Sequence, residues 1–256
     1  MTNNPGAFPV NLILFEPDEV GRPLPLGDAR ALHLLRVLRR GAGGTFDAGI
    51  VNGPRGRGTL VAAGPEALTL AFEWGAAPPP LHPLTLLIGL PRPQTARDIL
   101  RDATSLGVAA MHFVAAEKGE PSYARSALWA SGEWRRQLLA GAAQAFDTRL
   151  PEVTRGGSLV EAVGRLPQGV ARIALDNYEA AASLARLELA PADAAIPTAA
   201  GAVVLAIGAE RGWSPAERAL LRGSGFAFTH LGARVLRTET AVTAAIALIT
   251  AKAGWR

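Results

Sequence analysis

Apolar residues in the first part of the chain occur in short runs that turn-forming residues interrupt. The runs cover residues 10–15, 59–63 and 68–72, and glycine-containing segments at 41–44 and 52–58 lie between them. Short runs bounded by glycine, proline and asparagine are typical of β-strands joined by tight turns. The pattern predicts a small all-β domain over residues 1–74.

A proline-rich stretch follows this domain. Residues 75–83 read GAAPPPLHP. Three consecutive prolines favour a stiff extended spacer and disfavour a helix or a central strand. We therefore predict a linker over residues 75–83, between two domains.

After residue 83, continuous apolar runs alternate with segments of helical periodicity. This alternation indicates a parallel sheet covered by helices, that is, an α/β domain over residues 84–256. Ser214, Pro215 and Glu217 match a capping box with proline at the first helical position. The predicted strands cover residues 84–90, 108–115, 170–175, 202–207 and 228–231, the predicted helices cover residues 95–106, 132–146 and 240–251, and residues 190–200 are predicted to form a loop.

Composition narrows the class of protein. The chain has 256 residues, 49% of them hydrophobic and 19% charged, so it can bury a large core. It has no cysteine, which excludes disulfides, thiolate metal sites and a cysteine nucleophile, including the C5 route of pyrimidine methylation. Because no leader pattern and no membrane-length apolar run is present, we expect a cytoplasmic protein without a membrane partner.

The positive charge is carried almost entirely by arginine. The formal net charge is +4, and the only lysines are Lys118 and Lys252. Arginine suits phosphate groups and base edges because its guanidinium is a planar fork of donors. The bias is compatible with a polyanionic partner, although a GC-rich genome would produce the same composition.

Three segments follow predicted strands, at the sheet edge where open parallel sheets bind ligands. They are LDNYE at 175–179, IGAERGWS at 207–214 and LGARVLRTET at 231–240. Gly208 and Gly212 would allow a backbone to approach a ligand closely, although glycine turns are common between strands and helices. These segments are the candidate ligand-binding loops.

The third loop carries an unusual charge pattern. Thr238 is the predicted N-cap of the last helix, and Glu239 would lie in its first turn, where the helix dipole favours a carboxylate. Arg234 and Arg237 oppose that dipole and therefore indicate an anionic ligand. Two interpretations of Glu239 stay open, a role toward the substrate and a purely helix-stabilising role.

Other common chemistries lack their motifs. The sequence contains no P-loop, no H-E-x-x-H and no G-x-S-x-G, and Phe46 replaces the last glycine of a dinucleotide-binding fingerprint. The histidines are scattered without metal-ligand spacing, so structural roles and no bound metal are expected; they are His33, His82, His112 and His230.

Residues 205–249, LAIGAERGWSPAERALLRGSGFAFTHLGARVLRTETAVTAAIALI, resemble the C-terminal half of the RsmE family. These are rRNA uridine-N3 methyltransferases of the SPOUT superfamily, whose two loops read roughly IGPEGG-(F/L)-S and LG-x-R-(I/V)-LRTETA. The resemblance to the second loop is unbroken from Leu231 to Ala241. Weaker similarity extends over residues 31–40, 98–108 and 134–153.

The resemblance implies a fold, a cofactor and partners. The fold would be a PUA-like RNA-binding β-barrel at residues 1–74, followed by a SPOUT-type α/β domain at residues 84–256 with a deep C-terminal trefoil knot. The cofactor would be S-adenosylmethionine, the substrate ribosomal RNA or the small ribosomal subunit, and the assembly a homodimer with the cofactor pocket near its interface.

The resemblance also assigns residues. Arg237 would stabilise charge on the target base, and Glu239 would orient Arg237. The implied cofactor-binding residues are Leu175, Asp176, Ile207, Gly208, Glu210, Gly212, Leu231, Gly232, Val235, Leu236, Thr238 and Thr240. The implied RNA-binding residues are His33, Arg36, Arg39, Arg40, Arg92 and Arg234.

Three departures from the family pattern concern the substrate side. The family's Pro-Glu-Gly-Gly is Ala-Glu-Arg-Gly here, with Arg211 in place of a glycine, and Ser105 and Asp147 replace an expected glutamate and an expected cation. Two alternatives therefore stay open. One is a paralogue that methylates another RNA position, and the other is a non-catalytic RNA-binding relative whose pocket Arg211 fills.

Overall fold

The computed structural model describes residues 12–188 and 201–255. The chain divides into two compact units, Met1–Pro80 with Ala142–Leu150, and Leu81–Gly141 with Pro151–Arg256. The predicted loop at 190–200 and the first two residues of the predicted strand at 10–15 lie outside the described residues. The assignment of residues 142–150 to the first unit was not anticipated from the sequence.

The first unit is built on a five-stranded sheet in the order β1-β3-β4-β5-β2. Strand β1 pairs in parallel with β3, and the other neighbours are antiparallel. Short helix α1 runs directly into a π-helical turn at His33–Val37. The elements are β1 Ile13–Phe15, β2 Leu24–Pro25, α1 Ala29–Leu32, β3 Thr45–Ile50, β4 Arg55–Ala63 and β5 Ala67–Trp74.

Aromatic side chains pack together in the core against this sheet. The rings of Phe15 and Phe72 meet edge to face at 4.9 Å, and Phe72 stacks on Trp74 with the same 4.9 Å between centroids. Leu34, from the π-helical turn, is fully buried in the same cluster. The turn therefore contributes to the core of the first unit.

The segment after residue 141 completes one edge of the first unit. The backbone N–H of Asn52 donates to the carbonyl of Thr148 at 2.8 Å, and the Thr148 hydroxyl donates to the carbonyl of Gly53 at 2.5 Å. The Asn52 side chain accepts from the N–H of Leu150 at 2.9 Å. Thr148 is fully buried by these contacts.

The second unit contains a seven-stranded sheet, entirely parallel, in the order β10-β12-β9-β11-β6-β7-β8. Its strands are β6 His82–Gly89, β7 Val108–Ala115, β8 Glu152–Ser158, β9 Ala171–Leu175, β10 Ala182–Ser183, β11 Val203–Ile207 and β12 Ala227–His230. Its helices are α2 Pro93–Ser105, α3 Ala127–Ala130, α4 Glu133–Gln144, which continues into the first unit, α5 Leu159–Gly164, α6 Pro215–Gly223 and α7 Thr238–Ala253.

The buried strands follow the predicted apolar runs closely. All five residues of β11 are buried, as expected for a central strand covered on both faces. The capping box at α6 is confirmed, since Ser214 accepts from the N–H of Glu217 at 3.1 Å and Glu217 accepts from the N–H of Ser214 at 2.7 Å. The strand β6 begins at His82, inside the residues predicted as linker.

Helices α5 and α6 cover one face of this sheet. Their residues Val163 and Leu221 share a core cluster with Leu87, Val204 and other strand residues. Helices α2 and α7 pack against each other. Among the described residues, no helix combines the length and the apolar character that crossing a membrane requires.

Candidate functional site

A pocket opens at the carboxyl edge of the parallel sheet, where the loops after β9, β11 and β12 meet. This is the edge at which open α/β sheets bind ligands. Its lining residues are Leu175, Asp176, Asn177, Tyr178, Ile207, Gly208, Ala209, Glu210, Gly212, His230, Leu231, Arg234, Val235, Leu236, Thr238 and Ala241.

Ten of the twelve predicted cofactor residues line this pocket, and Gly232 and Thr240 do not. Arg234, predicted for RNA, lines it too. Arg237 and Glu239 lie outside the lining but are direct chain neighbours of Leu236 and Thr238, which form part of it. What these residues bind stays a prediction.

Sequence reasoning missed five lining residues, namely Asn177, Tyr178, Ala209, His230 and Ala241. The first four lie within, or directly at the start of, the loops that the carboxyl-edge rule had singled out. Ala241 lies one turn into α7. The loops could therefore have been assigned whole, whereas the depth of the pocket along α7 had no sequence signal.

The glycine loop after β11 is closed by backbone contacts that leave no room for a side chain at Gly208 or at the facing Gly89. A Cβ on Gly208 would lie 2.8 Å from the Cα of Gly212, and a Cβ on Gly89 would lie 2.7 Å from the N of Ala209. Gly212 has φ of +64°, in the left-handed region. Glycine at these positions lets the loop fold tightly on the ends of β6 and β11.

The loop after β9 is fixed by one buried carboxylate. Asp176 accepts from the N–H groups of Tyr178 and Glu179 at 2.8 and 2.7 Å, and from Nε of Arg218 at 2.7 Å. Arg222 also forms an ion pair with Glu179. The side chains of Asp176 and Arg218 are 2% and 8% exposed. Helix α6 thus holds the loop in place through Arg218.

Two further contacts hold the rim of the pocket. The carboxylate of Glu210 accepts from the N–H of Arg92 at 3.0 Å. The ammonium of Lys118 donates to the carbonyl of Trp213 at 2.9 Å. Both contacts join the glycine loop to the segments that follow β6 and β7.

The start of the last helix differs from the prediction. Helix α7 begins at Thr238, and Arg237 occupies the N-cap position with extended backbone and no side-chain cap. The prediction of Thr238 as the N-cap is therefore wrong by one residue. The reason is that Thr238 is buried as the first helical residue and lines the pocket, so its hydroxyl does not close the helix end.

The sequence of this chain is similar to those of known RNA methyltransferases. A family of RNA methyltransferase domains matches residues 77–250. Ribosomal RNA small subunit methyltransferase E of Treponema pallidum is 36% identical over 258 residues, covering 96% of this chain and 93% of that protein. The chain belongs to the RsmE family. RsmE 1 of Borreliella burgdorferi is 29% identical over 94% of this chain and 98% of that protein.

Solved structures agree with the fold of an RsmE protein. A methyltransferase from Legionella pneumophila, in complex with S-adenosylmethionine, has a TM-score of 0.75 at 20% identity, covering 96% of this chain and 98% of that one. RsmE of Neisseria gonorrhoeae bound to S-adenosylmethionine has a TM-score of 0.69 at 22% identity, covering 94% and 97%. At these identities the likeness concerns the fold.

Arg211, the departure from the RsmE glycine loop, does not enter the pocket. Its side chain is exposed and it is absent from the lining residues. Its carbonyl lies 3.4 Å from the ammonium of Lys118, a contact that any residue at this position would keep. The idea that Arg211 fills an RsmE pocket in this chain therefore has no support in the geometry.

The remaining RNA-binding candidates lie in both units. Arg36, Arg39 and Arg40 follow α1 in the first unit, and all three are exposed. The Nε2 atom of His33 is buried and has no hydrogen-bond partner among the described residues, and a role of His33 toward RNA stays a prediction. Arg92, in the second unit, is exposed and its guanidinium lies 3.7 Å from Glu210.

Proposed function

We propose that this RsmE protein transfers a methyl group from S-adenosylmethionine to N3 of a uridine in small-subunit ribosomal RNA. The observation that carries the proposal is the convergence of the glycine loop and the loop at 231–240 on one pocket, with Arg237 and Glu239 next to it in the chain. The names of the relatives add the substrate class, since those proteins are called ribosomal RNA small subunit methyltransferases.

The pocket residues fit S-adenosylmethionine. At Gly208 a Cβ would collide with Gly212, whereas Gly212 has a left-handed φ of +64°. The two glycines leave backbone groups accessible, and close backbone approach suits a flat adenine and a short methionine chain. Apolar side chains of Leu175, Ile207 and Leu231 line the same space. The cofactor, when bound, supplies an electrophilic methyl group on a sulfonium.

The protein side chains would act on the target uracil. N3 of uracil is weakly acidic and must lose its proton before or during attack, which places negative charge on the uracil oxygens. The exposed guanidinium of Arg237 would stabilise that charge. Glu239, in the first turn of α7, would orient Arg237, and its alternative role is to stabilise the helix N-terminus.

The finer architecture belongs to the same proposal. We infer that the five-stranded sheet of residues 1–74 is a PUA-like barrel that contacts RNA phosphates through Arg36, Arg39 and Arg40. We also infer that the second unit carries a trefoil knot, works as a homodimer and acts in the cytoplasm. Support for these inferences comes from membership of the RsmE family.

Calorimetric titration of S-adenosylmethionine, together with methylation of small ribosomal subunits, tests the proposal. The wild-type protein and Arg237→Ala should bind the cofactor with similar affinity, and only the wild-type protein should methylate the RNA. Nucleoside mass spectrometry of the product should show 3-methyluridine. Arg36→Ala, in the other unit, is the matched variant for loss of an exposed arginine and should leave cofactor binding unchanged.

Three results would contradict the proposal. Absence of cofactor binding by the wild-type protein would leave a non-catalytic RNA-binding relative. A different methylated nucleoside would indicate a paralogue with another target. Full activity of Arg237→Ala would remove Arg237 from the reaction.

A further inference from the structure

The mouth of the pocket exposes large apolar side chains. Tyr178, Val235 and Leu236 all line it, and they are 77%, 83% and 37% exposed. Tyr178 and Val235 are the two most exposed large hydrophobic side chains among residues 12–188 and 201–255. Apolar groups that cluster in the open at the rim of a pocket indicate a surface that a ligand covers.

The ring of Tyr178 is held in position although it is exposed. Its backbone N–H is bound by the buried Asp176 carboxylate at 2.8 Å. The guanidinium of Arg218 lies 4.7 Å from the ring centroid, and the ammonium of Lys118 lies 6.0 Å from it. Cations at these distances attract the ring electrostatically, so the ring is presented in a preorganised orientation.

Charge around the ring indicates the kind of ligand. The partly exposed Lys118 lies beside the ring, and the exposed Arg234 lines the same pocket. Arg218 holds the ring from below the surface, since it is buried and paired with Asp176. Positive charge combined with an exposed aromatic ring is the arrangement that binds single-stranded RNA, in which phosphates meet the cations and a base stacks on the ring.

The depth of the pocket separates cofactor from substrate. Asp176, Ile207, Gly208 and Thr238 are buried and form the inner wall. Tyr178 is at the solvent side, where an RNA nucleotide would enter after the cofactor has filled the interior. Its neighbours at the mouth, Val235 and Leu236, offer apolar contact to the edge of the same base.

We propose that Tyr178 is a substrate-binding residue on which the uracil to be methylated stacks. This inference rests on the proposed function and adds the residue that holds the base beside the cofactor. Stacking would fix the plane of the uracil and limit its rotation, so that N3 is presented to the methyl group.

The test compares Tyr178→Ala, Tyr178→Phe and Tyr123→Ala, the last being the other tyrosine and absent from the pocket lining. Three quantities are measured for each. They are kcat/KM for small-subunit RNA, the Kd of S-adenosylmethionine by calorimetry, and the Kd of a ten-nucleotide oligouridine and of an abasic RNA of equal length by fluorescence anisotropy. Sedimentation equilibrium monitors the oligomeric state.

Stacking on the target base predicts a specific pattern. Tyr178→Ala should lower kcat/KM for RNA by about ten- to hundredfold and weaken oligouridine binding, because base–aromatic stacking contributes on that scale. Binding of the abasic RNA and of S-adenosylmethionine should stay within about twofold of wild type. Tyr178→Phe and Tyr123→Ala should retain activity, since a phenyl ring still stacks and Tyr123 lies outside the pocket.

Other outcomes overturn the inference. Weakened S-adenosylmethionine binding in Tyr178→Ala would show that the ring contacts the cofactor, and a change in oligomeric state would show that it contacts a second copy of the chain. Equal loss of affinity for oligouridine and abasic RNA would also contradict stacking. If the wild-type protein methylates no RNA, the proposed function fails, and base-dependent binding still decides the role of Tyr178 independently.

Discussion

The carboxylate of Asp176 accepts a hydrogen bond from Nε of Arg218 at 2.7 Å, and both side chains are nearly inaccessible to solvent. Asp176 is the first residue after strand β9. Arg218 lies on helix α6, which begins after the glycine loop. One ion pair therefore ties two of the three pocket loops together. A buried charge left without its partner is strongly destabilising.

Removing the guanidinium should disturb both folding and the pocket. Arg218→Met leaves the Asp176 carboxylate with two backbone donors, and we expect the free energy of unfolding to fall by about 3 kcal/mol in urea titrations. Calorimetry should show cofactor affinity lowered by about tenfold, because the cofactor must then order the loop after β9 when it binds. A tenfold change in Kd corresponds to about 1.4 kcal/mol of binding free energy.

Arg222→Met is the matched control for this pair. Arg222 lies on the same helix and pairs with Glu179, but its side chain is 57% exposed, so the change should cost less than about 1 kcal/mol. Combining Asp176→Asn with Arg218→Met should cost less than the sum of the single changes, as for any coupled pair. Additive losses would show that the two side chains act separately.

A methyl group at Gly208 should block the pocket loop. In Gly208→Ala the new Cβ would lie 2.8 Å from the backbone of Gly212, so the loop must move. Calorimetry should show cofactor affinity lowered by at least about tenfold, which corresponds to about 1.4 kcal/mol. Gly223→Ala, at the end of α6 with nothing within 4 Å of the added Cβ, should bind as the wild type does. Unchanged affinity in Gly208→Ala would contradict the tight closure of this loop.

Substituting Arg211 should have little effect on the cofactor. Because this side chain is exposed and outside the pocket, Arg211→Gly should change the Kd of S-adenosylmethionine by less than about twofold in calorimetry. A large increase in affinity would mean that Arg211 enters the pocket in solution. The matched comparison is Arg36→Ala, an exposed arginine of the first unit.

Low pH should lower the stability of the first unit by protonating the two carboxylates that pair with Arg30. Arg30 donates to the carboxylates of Glu19 and Asp28 at 2.6 and 2.7 Å, and these bonds lower the pKa of both carboxyl groups. Lowered folded-state pKa values give stability that is complete above the ordinary values of 4.5 and 3.8 and is lost as the pH falls below them.

Arg30→Met should therefore lower the free energy of unfolding by about 2 kcal/mol at pH 7 in urea titrations, and the difference from wild type should shrink as the pH falls from 5 to about 3. Arg22→Met removes an exposed pair with Asp18, 68% and 70% accessible, and should cost less than about 0.5 kcal/mol. A difference for Arg30→Met that does not depend on pH would contradict an ionic origin.

The strands that sequence predicted well are those inside the sheet, whose residues are mostly apolar. Strand β7 was predicted with its observed bounds, Val108–Ala115, because it pairs with a strand on each side and seven of its eight residues are apolar. Strand β8, Glu152–Ser158, was missed, since it lies at the sheet edge and is mostly exposed, and such a strand needs no hydrophobic pattern. Pairing partners, not its own residues, make it a strand.

In the candidate site, too, some positions could be predicted from sequence and others depend on tertiary contacts. Gly208 and Gly212 could be singled out from sequence because glycine between a strand and a helix has a direct steric meaning. The loop that contains Tyr178 could be singled out too, but the position of its ring at the mouth could not, because that position depends on Arg218, forty residues later in the chain, and on the fold that brings them within 4.7 Å. Thr238 was misplaced by one residue because burial, which sequence does not reveal, outweighed its capping preference.

The contacts of Thr148 with Asn52 and Gly53 also constrain how the protein is made. The first unit consists of Met1–Pro80 and Ala142–Leu150, so its last segment is synthesised about seventy residues after the rest. At a typical rate of about 5–20 residues per second, the delay is about 4–14 s. During translation the first unit therefore lacks the contacts of residues 148–150 with Asn52 and Gly53 until Leu150 has left the ribosome.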